Sequence, residues 1–170
     1  MLTSITRVRL PAAAIAILTL PTVAITVSAP SAHADNRRLN SSVIMNVYTI
    51  QHQAGCSTNI VDNPKLRLAA QWHTNDVLNN RALDGDIGSD GTTVADRARN
   101  AGYTGAVAET VAINPAISIN GMDILNLWYY RPDYLSIMQD CRNVDIGVWS
   151  ENSFDRSVVV AVYGRGEARD

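Results

Sequence analysis

Residues 1–34 contain neither Asp nor Glu, and this acid-free stretch decides how much of the chain must fold. Arg7 and Arg9 open it, an apolar run from Leu10 to Val27 follows, and Ser31-Ala32-His33-Ala34 closes it. A basic start, an apolar middle and small residues at the −3 and −1 positions, here Ala32 and Ala34, are the three parts of a secretory signal peptide. The run also approaches the roughly 20 residues of a membrane span, so an uncleaved anchor is the competing reading. Pro11 and Pro21 interrupt it, and the small-residue site lies at the right distance, which favours cleavage after Ala34. Arg37-Arg38 lies beyond the apolar run and is not a twin-arginine export signal, and no Cys stands at the cleavage point to take a lipid. Membrane contact is therefore expected only through an uncleaved leader.

Removing 34 of the 170 residues leaves 136, so residues 35–170 are read as one domain in an extracellular or cell-envelope setting. A chain of that length buries about two thirds of its unfolded surface, enough for one real core. The loss of two arginines takes the net charge from −2 to −4. With a sequence pI near 5.9, the cationic stripe that nucleic acid demands is missing, so no nucleic-acid partner is expected. Cys56 and Cys141 are the only cysteines, and in an oxidising compartment an even pair reads as a disulfide, two buried thiols being the alternative.

In the remainder, Leu39, Val43, Ile44, Val47 and Ile50 recur at helical spacing from Asn36 to Gln53, and Gly55 ends that helix. Asn63-Pro64 opens a second helix that runs to about Asn80, with Leu66, Ala69, Ala70, His73 and Val77 on one face. Residues 84–91 form a loop, since three glycines and three aspartates oppose both regular structures. Thr93-Val94-Ala95-Asp96 resembles a capping box for a short third helix that Gly102 closes. Ala106–Ile113 alternates as a strand, with Val107, Glu109, Val111 and Ile113 on one face. Met122–Tyr130 is apolar nearly all round, which predicts a buried helix, and Arg131-Pro132 is read as its stop. Val144–Trp149 and Ser157–Tyr163 are two further strands joined by a hairpin loop over Glu151–Arg156, the second apolar on both faces and so central. The expected fold is α+β, a three-layer α-β-α sandwich with a small antiparallel sheet between three or four helices.

Most site chemistry is missing. Beyond residue 34 only His52 and His73 remain, which excludes a three-histidine zinc site, and neither H-E-x-x-H nor C-x-x-C occurs. Gly88-Ser89-Asp90-Gly91 lacks the spacing of a nucleophilic serine elbow. Asp84, Asp86 and Asp90 are hard oxygen donors, but the loop has no closing Glu and its glycine falls too late for an EF-hand. Glu109 stands out, because a carboxylate among Val107, Val111 and Ile113 is partly buried and needs a partner. A backbone amide, an arginine such as Arg97, a bound ion or a ligand would each serve.

Several stretches resemble one family. Leu68-Ala69-Ala70-Gln71-Trp72-His73-Thr74-Asn75-Asp76 is similar to an A-A-x-x-H-[SA]-x-D helix, and Ser89-Asp90-Gly91 with Asp96-Arg97 and Ala101-Gly102-Tyr103 to an S-D-G…R…A-G-Y stretch. Ala108-Glu109-Thr110-Val111-Ala112 resembles A-E-N-V-A, and Trp128 through Met138 resembles W-x-x-S-P-x-H-x-x-I-M, with Cys141 and Ile146-Gly147-Val148 following. The ordered set resembles the CAP superfamily of cysteine-rich secretory, antigen five and pathogenesis-related proteins, in its bacterial SCP-like form. That resemblance implies an α-β-α sandwich, secretion, and a central cleft where two histidines and acidic residues hold a divalent metal. Glu109 matches the strand glutamate, but the cleft-histidine positions carry Asp86 and Tyr134, and Arg131 stands where an acidic residue or serine can occur. Imidazoles are what let such a cleft take zinc, so zinc binding is expected to be lost and no cofactor is expected. Hard oxygens would suit calcium or magnesium if any ion, and Arg131 is expected to neutralise the carboxylates instead. His73 is expected to be a satisfied core histidine.

The leading expectation is a secreted binding protein without catalysis, its ligand a lipid, a small molecule or a protein. The stripe Met122, Leu125, Trp128 and Tyr129 is expected to be core rather than a lipid pocket. The alternatives are a hydrolase with Asp86 and Glu109 as an acid–base pair, which requires both carboxyls to face one open cleft, and a degenerate scaffold.

Overall fold

A computed structural model describes residues 32–115 and 119–167, with side chains from Asn36 onward; the expected leader, up to residue 31, lies outside the described residues. Five helices and four strands follow in the order α1 (Ala32–Gln53), β1 (Val61–Asp62), α2 (Pro64–Asn79), α3 (Val94–Asn100), β2 (Val107–Asn114), α4 (Gly121–Tyr129), α5 (Pro132–Gln139), β3 (Asp145–Asn152) and β4 (Ser157–Gly164). The first turn of α1 spans the expected cleavage point after Ala34. Among the described residues no helix is long and apolar enough to cross a membrane.

The sheet order is β1-β3-β4-β2. Strand β4 pairs antiparallel with β2 on one side and β3 on the other, and all eight of its residues are buried. Its side chains alternate between two cores. Val159, Ala161 and Tyr163 meet Val43 and Val47 of α1, Trp128 of α4 and Met138 of α5. Val158, Val160 and Val162 meet Leu66, Ala69, Ala70 and Val77 of α2 and Ala98 of α3. A helical layer therefore covers each face, as the apolar run in β4 requires.

Three features depart from the sequence reading. A fourth strand, β1, runs parallel to β3 through Val61–Asp145 and Asp62–Ile146, so the sheet is mixed at one edge. Arg131-Pro132 is not simply a stop: Pro132 occupies the first turn of α5, where its fixed φ and missing N–H are tolerated. And α4 is not buried all round. Ile124 and Trp128 enter the core, whereas Met122 (65% exposed), Leu127 and Tyr129 face outward, so the expected core stripe holds only in part.

Two ties fix the far end of the sandwich. Cys56 and Cys141 form a disulfide across 85 positions, joining the turn after α1 to the turn before β3. Tyr103 donates its hydroxyl hydrogen to Asp145 at 2.8 Å and accepts the Gly166 N–H at 3.0 Å. Between them α2 lies directly on β3 at Gly147, where a methyl group would overlap the backbone of Leu66 and Arg67.

Candidate functional site

Because β2 is an edge strand, its alternation carries Glu109 to the rim of the α2–α3 core, in line with Val107, Val111 and Ile113. Glu109 is nevertheless only 3% exposed. Its partner is Arg97 of α3, whose Nη2 donates to Oε1 at 2.8 Å. Arg97 is itself buried, and it also donates to two backbone carbonyls: Nη2 to Asp86 at 2.8 Å and Nη1 to Thr92 at 2.8 Å. One guanidinium thus joins the strand carboxylate to the 84–92 loop. Helix α3 holds it in place through a reciprocal cap, with Thr93 Oγ1 accepting the Asp96 N–H and Asp96 accepting the Thr93 N–H.

His73 of α2 closes the group from behind and is fully buried. Its Nε2 lies 3.0 Å from the Gly85 carbonyl oxygen. A carbonyl only accepts, so this assignment puts the proton on Nε2 and leaves Nδ1 as a bare lone pair. Burial, and after it the nearby Arg97 charge, hold the imidazole below its ordinary pKa of 6.5 and favour the neutral form. Nε2 stands 3.6 Å from Glu109 Oε1, outside hydrogen-bond range. Burial also pushes the Glu109 carboxyl up to about 8, Arg97 opposing the rise and Asp86 adding to it. Three buried atoms in this group have no hydrogen-bond partner: Glu109 Oε2, Arg97 Nε and His73 Nδ1.

On the outer side, Tyr134 of α5 is buried and points its hydroxyl at Asp86 Oδ1 over a long 3.5 Å. Asp86 itself is exposed. Arg131 does not lie across the carboxylates, contrary to expectation. Its guanidinium stacks on the Tyr134 ring, 3.7 Å from the centroid, and pairs with Asp133 through Nη2 at 2.7 Å. The proline-opened first turn of α5 brings that closer acid within reach of Arg131, one residue before it.

The structure therefore unites Glu109, His73, Asp86 and Tyr134 around the β2 edge and sets Arg131 on the rim. Arg97, named from sequence only as one candidate partner, is the centre of the arrangement. The carbonyls of Gly85, Asp86 and Thr92 gave no sequence signal, because backbone groups enter a site only through the path of a loop.

This donor set does not fit the divalent metal of the resembled family. The Arg97 guanidinium takes one Glu109 oxygen and sets a positive charge against the carboxyl, and the two positions that would supply imidazole carry a carboxylate and a phenol. Among the described residues no three His, Cys, Asp or Glu side chains converge on a common point. The loop aspartates do not gather either: Asp90 turns onto Thr92, accepting its N–H and hydroxyl.

No protein-family model matches the sequence, and no curated protein matches it. Solved structures do. An outer surface protein from Borrelia burgdorferi superimposes with a TM-score of 0.66 at 15% identity, over 76% of this chain and 94% of that one. An extracellular protein containing an SCP domain, from Bacillus anthracis, gives 0.62 at 12% identity over 82% of this chain and 45% of that one. A cysteine-rich secretory protein from Staphylococcus aureus gives 0.59 at 11% identity over 77% and 39%. The chain spans less than half the length of the latter two. At such identities the likeness is one of fold: the architecture is that of the SCP, or CAP, domain.

Proposed function

From the fold shared with SCP-domain proteins, we propose that this chain is an exported SCP-like domain that acts by binding a lipid, a small ligand or a protein, without catalysis. The observation that carries the reading is the Glu109–Arg97 pair. A general acid or base must touch the reacting atoms. Here the strand carboxylate is buried and clamped by a guanidinium, while Asp86 is exposed on the loop beside it. The leader-like residues 1–34 and the extracellular or outer-surface character of the neighbours support export. The outward apolar side chains of α4 support a binding role, since a binding protein needs accessible contact surface.

The test uses protein recovered from culture medium. Mass spectrometry under native conditions is expected to find an N-terminus at Asp35 and a non-covalent ligand or partner. Material that keeps residues 1–34 and carries no companion molecule would contradict the proposal. One observation favours a hydrolase as second reading: a carboxyl raised to about 8 is the protonation state of a general acid. That reading requires turnover of a glycan or peptide substrate that is lost in both Asp86→Asn and Glu109→Gln.

A further inference from the structure

A recess of about 490 Å³ opens where α5 ends, between the turn before β3 and the residue after β4. Ser136, Gln139, Asp140, Arg142, Asn143 and Arg165 are among its lining residues, and Glu109, Arg97 and Tyr134 are not. In its wall two guanidiniums share one carboxylate. Arg142 Nε donates to Asp140 Oδ1 at 2.9 Å and its Nη2 to Oδ2 at 2.8 Å, while Arg165 Nη2 reaches the same Oδ2 at 3.2 Å. The Arg142 N–H adds a bond to Oδ1 at 3.0 Å. Each Asp140 oxygen thus accepts twice, which fills its lone pairs, and its single charge faces two positive ones. Both cations are within reach of a solute, their side chains being 68% and 43% exposed. Arg142 Nη1, Arg165 Nε and Arg165 Nη1 make no hydrogen bond among the described residues.

The turn that carries Asp140 and Arg142 is fixed from beneath. Gln51, fully buried, donates to the Asp140 and Asn143 carbonyls at 3.3 and 2.9 Å. Buried Asn143 donates to the Ile137 carbonyl at 2.9 Å, and Cys141 is tied to Cys56. Side chains held on so fixed a turn, and already aligned by Asp140, lose little freedom when they grip a ligand. The charge balance of the wall selects an anion, since a cation would meet two guanidiniums and a neutral molecule would leave their charge unused. Its geometry narrows the choice. A carboxylate is held best by the planar two-donor fork of one arginine, and Asp140 already fills the Nε–Nη2 fork of Arg142. What remains are separate N–H groups from two guanidiniums that meet at one oxygen, and the oxygens of a tetrahedral anion collect such diverging donors. The volume falls within the roughly 300–1,000 Å³ of small-molecule sites, which leaves room for the molecule that carries the anion.

We propose that this recess binds a phosphate or sulfate ester, with Arg142 and Arg165 as its charged partners and Asp140 as the residue that positions them. The ester belongs either to a small soluble molecule or to a lipid headgroup. The site stands on its own residues, whether or not the β2-edge cleft binds anything.

The experiment is NMR titration of the folded, disulfide-bonded protein at constant ionic strength, following the Arg142 and Asn143 amide signals and the arginine Nε–H signals. The soluble probes are inorganic phosphate, sulfate and glycerol phosphate at millimolar concentration, with acetate as the carboxylate control. Vesicles of phosphatidylglycerol, set against vesicles of phosphatidylcholine, supply the headgroup arm in a sedimentation assay. A saturable shift of those signals by a soluble probe assigns the site to a soluble ester, and binding to the phosphatidylglycerol vesicles alone assigns it to a headgroup. In either arm Arg165→Gln, and more so its combination with Arg142→Gln, is expected to weaken binding about tenfold, both positions being exposed. Arg99→Gln, an equally exposed arginine on α3, is expected to leave binding unchanged. Three results would each overturn the proposal: binding of neither the soluble probes nor the vesicles, acetate bound as tightly as phosphate and sulfate, or affinity unchanged in the double variant.

Discussion

At the scale of single residues the unusual feature is a carboxyl and an imidazole both held in their neutral-favouring direction by burial, with one guanidinium paired to the carboxyl. Each has a definite consequence for stability. The Glu109 pKa rises from 4.5 to about 8 on folding, so its contribution is full below 4.5 and is lost as the pH climbs toward 8. Urea denaturation across that window should therefore show Glu109→Gln gaining stability over the parent as pH increases; a constant difference would mean Glu109 titrates normally. His73 has the opposite sign: with its pKa lowered on folding, its contribution is present above 6.5 and lost as the pH falls below it. Arg97 is the residue the arrangement can least spare. Arg97→Met should cost about 1–3 kcal/mol for each buried group it strands, the Glu109 carboxyl and the Asp86 and Thr92 carbonyls, and the double variant with Glu109→Gln should recover part of that. Full additivity in the double-variant cycle would refute the coupling. Sequence pointed to Glu109 through its apolar strand-mates Val107 and Val111, and it offered Arg97 among several partners. It could not show Arg131 choosing Asp133 over the Asp86 and Glu109 carboxylates, because the first turn of α5 decides where the guanidinium lies.

Among the elements, legibility followed the strength of local signals. The Asn63-Pro64 start of α2 and the Thr93/Asp96 box of α3 are side-chain to backbone bonds between neighbours, and both formed as read. Strands β2, β3 and β4 were legible from alternation or an unbroken apolar run. Strand β1 was not, since two residues have no period, and its place is fixed by Val61 N–H and Asn63 N–H reaching the Val144 and Ile146 carbonyls. Helix α4 was misjudged for a different reason: a segment apolar on every side carries no information on which side faces water. Its start rests on Asn120, whose side chain accepts the Met122 and Asp123 N–H groups at 2.9 and 3.0 Å. Asn120→Ala should lower thermal stability by about 0.5–2 kcal/mol, the usual worth of such a cap, and an unchanged melting curve would argue against it. Gly147→Ala should be far worse, because the obstacle is helix backbone rather than a side chain that can turn aside.

For the whole molecule, two cores share one buried strand, and a single disulfide ties the turn after α1 to the turn before β3. Closing a loop across 85 positions is worth about 4–5 kcal/mol on a chain-entropy basis. Cys56→Ala with Cys141→Ala should therefore unfold at markedly lower urea, with a steeper dependence on denaturant because the unfolded chain is no longer held compact; equal midpoints would remove the disulfide from the account. Fold likeness at 11–15% identity leaves the site chemistry free to diverge. In this chain the Arg97 guanidinium sets a positive charge against Glu109, and the positions that the resembled family gives to imidazole carry Asp86 and Tyr134. Calorimetric titration of the folded, disulfide-bonded protein with zinc chloride at neutral pH tests that most directly. The expected result is no stoichiometric heat of binding, and tight uptake of one zinc ion, abolished by Glu109→Gln, would contradict it.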